Sequence, residues 1–520
     1  MPNIVSRFLK NGWLISPLMN SSSTEKEQLR HNSSVKRAIG LRRMDELNRF
    51  IGQAPFFDPA RKRARCPRPR EMSGYIRDYF FDETTGKLVQ LAILILQSSK
   101  IPMLKTSAVD LIKQKEKLLQ SRFEEIDFIA ERNLSRVLTA FKDNKVCQEH
   151  FNSTSGYGLD DVGRETLEKV YAQVFSSEAA LVRVNMVCGT HAIACAILGN
   201  TKAGERFICL TGTPYDSLEP VLGGKKPSPG SLVDSGAFYI ELDLNPKDDD
   251  PKIEQAIRDA GDASIYYLQK SCGYSSVRPT YSNEELGKLI RLARKVTPKA
   301  KVIVDNCYGE FVELTEPTEC GADLVVGSLI KNPGGGLAIC GGYLAGTQSM
   351  IDNAARRLTA PGVAGHMGPN FNQGRHLFQG LFMAPSTVAQ AMKGVLLITS
   401  VFEELGMNVK PKASEPRFDI IQAIEFGDKE KLINFARAMQ RFSPVDAHVE
   451  PEPFQMPGYE DPVVMAGGTF VEGATIELSC DGPIRPPYIA YLQGGLTYHH
   501  VKCYLEGALS LSMSGELPFA

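Results

Sequence analysis

The chain has 520 residues, of which 43% are hydrophobic and 23% are charged, and its formal net charge is −1. This length and composition are typical of a globular protein with two or more domains. Because the charges nearly cancel, we expect neither a nucleic-acid partner nor a membrane partner.

The cysteines and histidines give no sign of a structural cross-link. The 11 cysteines are scattered without a CxxC pair, so we predict no disulfide framework or zinc site and expect a reducing, cytoplasmic location. The 8 histidines form no ligand pattern, and we therefore predict no metal site.

Residues 1–105 are predicted to be an N-terminal extension that is partly disordered. Met1–Thr24 contains Arg7, Lys10 and several serines but no acidic residue. That composition fits a targeting segment for the mitochondrion or plastid, and an unstructured tail explains it equally well. The basic, proline-broken run Arg61–Arg70 is better explained as a linker than as a polyanion site.

From about Lys105 the pattern becomes regular. Helical spacing in LLQSRFEEIDFIAERNLSRVLTAF is followed by the loop FNSTSGYGLDDVG and the helix RETLEKVYAQVF. The next predicted elements are short apolar runs suited to buried strands: ALVRVNM, RFICLTG, GAFYIELDL, SIYYLQ, KVIVDN, ADLVVGS and AICGGYLAG. Helices separate several of them, and the clearest begins with a capping box at Ser282 and Glu285.

The alternation of strands and helices predicts an α/β fold with a mainly parallel sheet. We place this large domain, with an N-terminal arm, at residues 106–390. After about Gln390 the pattern changes, and the helix TVAQAMKGVLLITSVFEEL, which begins at Thr387, leads into mixed strand and helix pieces. Residues 391–520 are therefore predicted to form a smaller α+β domain.

Ligands of parallel α/β sheets bind at the carboxyl ends of the strands. After ALVRVNM, Gly189 and Thr190 open a helix and could cradle a phosphate, although many strand-to-helix turns look alike. After RFICLTG comes Tyr215, which is either a stacking platform for an aromatic ligand or a loop tyrosine that covers the core.

Two charged residues follow later strands. Asp305 ends the run KVIVD, where a buried carboxylate needs a partner such as a protonated ring nitrogen or a backbone network. Lys331 follows ADLVVGS, and apolar surroundings would keep its amine neutral and able to form a Schiff base. The alternative is a lysine that reaches solvent or pairs with an acid. Taken together, a phosphate cradle, an aromatic plate, an acid and a lysine are the groups that pyridoxal 5'-phosphate needs.

At these residues the chain resembles the aluminium-resistance, or methionine gamma-lyase-like, family of fold type I pyridoxal-phosphate enzymes in the cystathionine-metabolism group. Matching stretches include TSGYGLDDVGRETLEKVYAQVF, VDNCYGEFVE, GADLVVGSLIKNPGGGLAICGGYLAG and DGPIRPPYIAYLQGGLTY. The resemblance covers roughly four fifths of the chain, from about Leu111 onward. It implies a fold type I transferase architecture with a seven-stranded sheet in the large domain.

The resemblance also implies roles for individual residues. Lys331 would bond the cofactor aldehyde, Asp305 would hold the pyridinium nitrogen, and Tyr215 would stack on the ring. The phosphate would be bound by three residues, Gly189, Thr190 and Ser328.

Two further roles follow from the resemblance. Tyr157 resembles a tyrosine that reaches the phosphate from a neighbouring subunit, so a homodimer or homotetramer is expected. Arg485 is the candidate for the substrate carboxylate, and a structural ion pair is as good an explanation. In Gln269–Thr280 the chain departs from the family, with Lys270 in place of an arginine, at a position expected to flank the active site.

The function implied is that of a carbon–sulfur lyase acting on a small sulfur amino acid, similar to methionine gamma-lyase or cystathionine beta- or gamma-lyase. It would release a 2-oxo acid, ammonia and a thiol. Other pyridoxal-phosphate reactions, by an aminotransferase or a racemase, share the same residues, and a non-catalytic aluminium- or metal-stress tolerance protein is a further alternative. A Rossmann dinucleotide site is disfavoured because no GxGxxG follows the first strand.

Overall fold

The structure is a computed structural model that describes residues 107–157, 161–225, 228–275, 278–456 and 459–520. The candidate targeting segment and the basic run Arg61–Arg70 lie outside the described residues. All described residues belong to one compact unit, Leu104–Ala520.

A seven-stranded sheet forms the centre of the larger part of this unit. Its strands are β1 (Ala179–Arg183), β2 (Arg206–Cys209), β3 (Phe238–Glu241), β4 (Ile265–Gln269), β5 (Lys301–Asp305), β6 (Leu324–Ser328) and β7 (Gly342–Gly346). The spatial order is β1-β7-β6-β5-β4-β2-β3, and β7 alone runs antiparallel to its two neighbours. Every predicted strand of the large domain is present, and the mainly parallel sheet is confirmed.

Helices cover both faces of this sheet and continue to the end of the chain. They are α1 (Ala108–Leu118), α2 (Gln120–Asp143), α3 (Val162–Val174), α4 (Gly189–Asn200), α5 (Glu219–Leu222), α6 (Asp250–Ala260), α7 (Asn283–Val296), α8 (Gln348–Leu358), α9 (Gly374–Glu404), α10 (Lys429–Arg441) and α11 (Tyr498–Ser514). The predicted capping box is confirmed at α7: the Glu285 N–H donates to Ser282 Oγ over 3.0 Å, and the Ser282 N–H donates back to Glu285 Oε2 over 2.9 Å.

The central strands are buried on both faces, and the alternation of side chains decides which face each residue joins. In β5, Val302 and Val304 pack into one core, whereas Ile303 packs into the core that also contains residues of α4 and α8. Asp305 has the same parity as Ile303. The acid therefore ends its strand on the face covered by α4.

A second sheet lies in the C-terminal part of the chain and is entirely antiparallel. It contains β8 (Asn408–Lys410), β9 (Ile421–Glu425), β10 (Val463–Ala466), β11 (Ser479–Pro483) and β12 (Ile489–Gln493), in the order β10-β11-β12-β9-β8. The predicted C-terminal domain with strands and helices is therefore present. The exact boundary at residue 390 stays a prediction, and it falls inside α9.

Helix α9 joins the two halves of the unit. It begins at Gly374, well before the predicted start at Thr387, because Pro385 is accommodated inside the helix. Its early residues pack into the core of the large sheet and its later residues into the core of the second sheet. By length and apolar composition α9 could cross a membrane, but 72% of its most apolar window is buried inside the protein, as expected for a core helix.

Candidate active site

The start of α4 and the end of β6 form a pocket suited to an anion. A Cβ added at Gly189 would lie 2.9 Å from Ser328 Cβ, so only glycine lets the helix approach this closely. Ser328 is 1% exposed, and its Oγ has no hydrogen-bond partner. A buried hydroxyl without a partner, beside a helix N-terminus, fits a phosphate that would accept its proton.

Three more hydroxyls surround this pocket. Thr190 Oγ1 lies 3.3 Å from the Tyr215 hydroxyl and 3.3 Å from Ser217 Oγ. Ser217 follows Tyr215 in the same turn and was not among the predicted residues. Because the turn after β2 and the start of α4 meet here, three of the predicted positions lie in one place: Gly189, Thr190 and Tyr215.

Asp305 is 2% exposed at the end of β5. Its Oδ1 accepts the Cys307 N–H over 3.0 Å, and its Oδ2 accepts the Tyr267 hydroxyl over 3.2 Å. These two neutral donors fix the orientation of the carboxylate and leave its charge available to a cationic partner. Tyr267 was not predicted, although its place two residues before the end of β4 puts it on the same face as Asp305.

Lys331 is partly buried just beyond β6. Its Nζ lies 4.1 Å from the ring centroid of Tyr308, a cation–π contact, and Tyr308 has a left-handed backbone with φ of 70°. Burial lowers the pKa of Lys331, but Cys307, Tyr308 and Asp305 together raise that pKa by more, to well above its ordinary value.

The prediction that burial lowers the pKa of Lys331 and keeps its amine neutral is therefore wrong in direction. The physical reason is the polar surroundings: Cys307 and Tyr308 contribute most to the raised pKa of Lys331, Asp305 adds to it, and the amine lies over the Tyr308 ring face instead of in a purely apolar pocket. As an ammonium, it must lose a proton before it can attack a carbonyl carbon.

Tyr215 lies between these groups. Its N–H donates to Gln269 Oε1 over 3.1 Å, and a Cβ at Gly273 would lie 3.7 Å from Tyr215 Cβ. Burial, with a further contribution from Asp305, raises the pKa of Tyr215 well above its ordinary value. The phenol therefore stays neutral at physiological pH. The geometry agrees with a ring-stacking or hydrogen-bonding role.

Two predicted residues are not brought into this cluster. Tyr157 is 84% exposed, and its backbone pairs with that of Met367. Arg485 lies just after β11, where its Nη1 is 3.2 Å from Asp461 Oδ2 in a half-exposed ion pair. The roles of Tyr157 at a neighbouring subunit and of Arg485 at a substrate carboxylate stay predictions.

The model of the family described as methionine gamma-lyase matches residues 108–513. The chain belongs to the methionine gamma-lyase family. The resemblance seen in the sequence is thereby confirmed, and so is the fold class, since the sheet order and the separate C-terminal sheet domain are present in this member of the family.

Relatives with names or structures agree with this assignment. The Bacillus subtilis protein YnbB is 46% identical over 397 residues, which cover 76% of this chain and 94% of YnbB. A structure from Listeria monocytogenes, described provisionally as a cystathionine beta-lyase involved in aluminium resistance, has 44% identity and a TM-score of 0.74, and covers 77% of this chain and 98% of its own. A Clostridium novyi structure, named a carbon-sulfur lyase involved in aluminium resistance, has 38% identity and a TM-score of 0.73, with 85% and 99% covered.

The second sheet contributes a wall of the candidate site, a group of side chains around Asp481 that the sequence did not predict. The Tyr274 hydroxyl donates to Asp481, and Gln493 Nε2 donates to Asp481 Oδ2 over 3.0 Å. The Tyr274 ring lies 5.2 Å from the ring of Tyr491 and 6.2 Å from that of Tyr459, measured between centroids. Burial raises the pKa of Asp481 above its ordinary value. Asp481 begins the stretch DGPIRPPY, in which the sequence analysis assigns a role only to Arg485.

Lys270 does not belong to the site. Its side chain is fully buried, and Nζ donates to Asn283 Oδ1 and Glu313 Oε1, each over 2.7 Å. The departure from the family at Lys270 therefore forms a structural ion pair. Tyr274, four residues further on, is the residue of that stretch that lies at the wall described above.

Proposed function

We propose that the protein is a pyridoxal-phosphate-dependent carbon–sulfur lyase that acts on a small sulfur amino acid. The products would be a 2-oxo acid, ammonia and a thiol, as for methionine gamma-lyase or cystathionine beta- or gamma-lyase. The observation that carries the proposal is the unpartnered Ser328 hydroxyl against Gly189, within the same cluster as Asp305 and Lys331. The names of the Listeria and Clostridium relatives support the class of reaction.

The residues present fit the cofactor. Gly189, Thr190 and Ser328 would hold the phosphate, Tyr215 would lie against the ring, and Asp305 would accept a hydrogen bond from the ring nitrogen. Lys331 would carry the aldehyde carbon. Bound there, pyridoxal phosphate would supply an electron sink for charge that develops on the substrate α carbon.

The protein's own groups would orient the substrate and move protons. Lys331, once it has lost its proton, would act as the base that takes the proton from the α carbon. Tyr308 holds the Lys331 amine from one side, and the Asp305 carboxylate is kept in place by Tyr267 and Cys307. Arg485 is the proposed contact of the substrate carboxylate, which requires it to leave or share Asp461. A second copy of the chain, with its Tyr157, is the proposed partner.

Replacement of Lys331 by alanine tests this function. Turnover should fall by at least about 10²–10⁴-fold, the range for losing a positioned proton-transfer group. The fold should persist because the hydrogen bonds that Lys331 makes with Ser328 and Gly334 use main-chain atoms, which alanine keeps. The readouts are release of 2-oxo acid and thiol from methionine, cysteine and cystathionine, and trapping of the cofactor by borohydride.

The matched control is Lys301→Ala at the opposite end of β5, where the lysine is 48% exposed. It should keep both turnover and trapping. Undiminished turnover by Lys331→Ala would refute the assignment of the lysine. Cofactor trapping without thiol release, accompanied by amino transfer or racemisation, would replace the lyase with one of those reactions.

A further inference from the structure

A cavity of about 80 Å³ lies between α2 and α9, beside the loop that joins β8 to β9. Its walls are mostly apolar, with Ile126, Ile129 and Ala130 from α2 and Val388 and Met392 from α9. Arg417, from the β8–β9 loop, is part of the same wall. An arginine in an apolar wall is costly unless its donors are satisfied.

The guanidinium of Arg417 is only partly satisfied. Nη2 donates to Thr399 Oγ1 over 2.6 Å and also to the Gln422 side-chain oxygen. Nε and Nη1 are buried and have no hydrogen-bond partner. Since Nη1 carries two N–H groups and Nε one, three donors lack an acceptor. The residue is only 7% exposed, so bulk water does not reach these donors freely.

Other buried cations in the described part of the chain have carboxylate partners. Lys270 pairs with Glu313 over 2.7 Å, and Arg183 pairs with Glu168. No carboxylate lies within ion-pair distance of Arg417 among the described residues. Burial lowers the pKa of Arg417 to about 10, which leaves the side chain charged at neutral pH.

The polar part of the cavity lining is partly exposed to solvent. Arg122 and Glu125 belong to it and pair with each other over 3.4 Å, with side chains 30% and 69% exposed. A water molecule needs roughly 10–15 Å³ of such space, so the cavity has room for several non-hydrogen atoms. The apolar walls favour an aliphatic chain over a second charge, and the arginine favours a single anionic head.

We propose that this cavity binds a small monocarboxylic acid with a short aliphatic chain, whose carboxylate accepts hydrogen bonds from Arg417. The site is separate from the Lys331 cluster and does not depend on the proposed reaction. It is built from α2, α9 and the β8–β9 loop.

The test measures binding to the cofactor-loaded full chain by calorimetry and by thermal unfolding, with butyrate as the probe. Butanol and inorganic phosphate serve as the uncharged and the more highly charged comparisons. Butyrate should bind saturably and raise the unfolding temperature by a few degrees at saturation, since a ligand that binds only the folded state stabilises it. Butanol and phosphate should bind at least about tenfold more weakly.

Variants separate this site from a carboxylate contact in the active site. Arg417→Met should weaken butyrate binding by at least about tenfold, the effect of losing a charge-assisted hydrogen bond. Ala130→Leu fills the cavity, keeps the arginine and should abolish the same binding. The control Arg132→Met removes an arginine of α2 that lies over Phe128, outside the cavity, and should change nothing.

The outcomes distinguish a cavity that binds a carboxylate from one that holds only ordered water. Saturable butyrate binding that is lost in both Arg417→Met and Ala130→Leu supports the proposal. Should Arg417→Met unfold, loss of binding in a folded Ala130→Leu variant supports it equally. Binding that survives Ala130→Leu, equal binding of butanol, or no binding at all overturns it. None of these readouts requires turnover, so failure here is distinct from failure of the lyase proposal.

Discussion

Buried polar groups on the two sides of the candidate active site differ in their hydrogen bonding. On the large sheet, Ser328 is buried and its hydroxyl has no partner. On the C-terminal sheet, the Asp481 carboxylate accepts hydrogen bonds from both Tyr274 and Gln493. An unsatisfied buried group costs about 1–3 kcal/mol, so an unpartnered hydroxyl at a helix N-terminus indicates a ligand site, whereas the satisfied carboxylate indicates a structural joint.

Asp305→Asn, on the large-sheet side of the site, should have the largest effect on activity. The amide keeps the size of the side chain but loses the charge that would hold a ring nitrogen protonated. Turnover should drop by about 10²–10⁴-fold, as for loss of a preorganised charge, and the pKa of Lys331 should fall because one of the groups that raise it is gone. Steady-state kinetics and the pH dependence of cofactor loading measure both.

Asp323→Asn is the control for that change. Asp323 directly precedes β6, at the amino-terminal ends of the strands, and pairs with Arg294 over 2.8 Å. If both variants show the same kcat/KM, Asp305 has no special role, and the large-sheet side of the comparison loses its functional meaning.

Glu310→Gln tests a second buried group with an unpartnered oxygen, a carboxyl that packs against Gly327. Burial, reinforced by Glu316, raises the pKa of Glu310 from the ordinary 4.5 to about 8, and one of its oxygens has no partner. Because the folded-state pKa is the higher one, the protonated acid stabilises the fold at low pH, and this contribution is lost as pH rises through about 8.

The wild-type protein should therefore lose about 3–5 kcal/mol of stability from this residue between acidic pH and pH above its folded-state pKa. Glu310→Gln should lack that part of the decline. Urea midpoints at pH 5.5 and 8.5 measure the difference. Parallel pH profiles for the two proteins would show that Glu310 is not held in its protonated form.

Tyr274→Phe tests the C-terminal-sheet side, where the Asp481 carboxylate has hydrogen-bond donors. Loss of the hydroxyl leaves the buried Asp481 with one donor fewer, and the free energy of unfolding should fall by about 1–3 kcal/mol. Asp481→Asn and the double variant complete a cycle that isolates the pair. Additive effects in that cycle, or a loss of cofactor affinity in Tyr274→Phe, would contradict a structural joint.

Ser328→Ala should give the smallest effect and the sharpest contrast. Removing an unpartnered buried hydroxyl should raise the stability of the cofactor-free protein, by up to about 1–3 kcal/mol. Cofactor affinity should fall by about tenfold, because the phosphate loses one donor. Equilibrium loading followed by absorbance measures the affinity, and urea unfolding measures the stability.

The control for Ser328 is Ser271→Ala. The Ser271 hydroxyl donates to Asp419 over 2.7 Å, so its removal should destabilise the fold without weakening the cofactor. If the two serines behave alike, the unpartnered state of Ser328 carries no information about a ligand.

Lys270 and Lys331 show where sequence reasoning stopped. Both follow apolar strands, yet Lys270 forms a buried ion pair with Glu313, a residue 43 positions further along the chain. The sequence cannot distinguish these cases because the partner acid is brought in by the fold. The same limit explains why Asp481 was missed, since its donor Tyr274 lies 207 positions away.

The sequence alone determined the strand pattern, the helix capping at Ser282 and the cluster of residues at the strand ends. These follow from periodicity and from the rule that parallel strands present their carboxyl ends at one edge. The tertiary structure decided the direction of the Lys331 pKa shift, the pairing of Asp481 and the partial satisfaction of Arg417. Each of these depends on which groups are packed together and removed from water, and that is settled by contacts between distant parts of the chain.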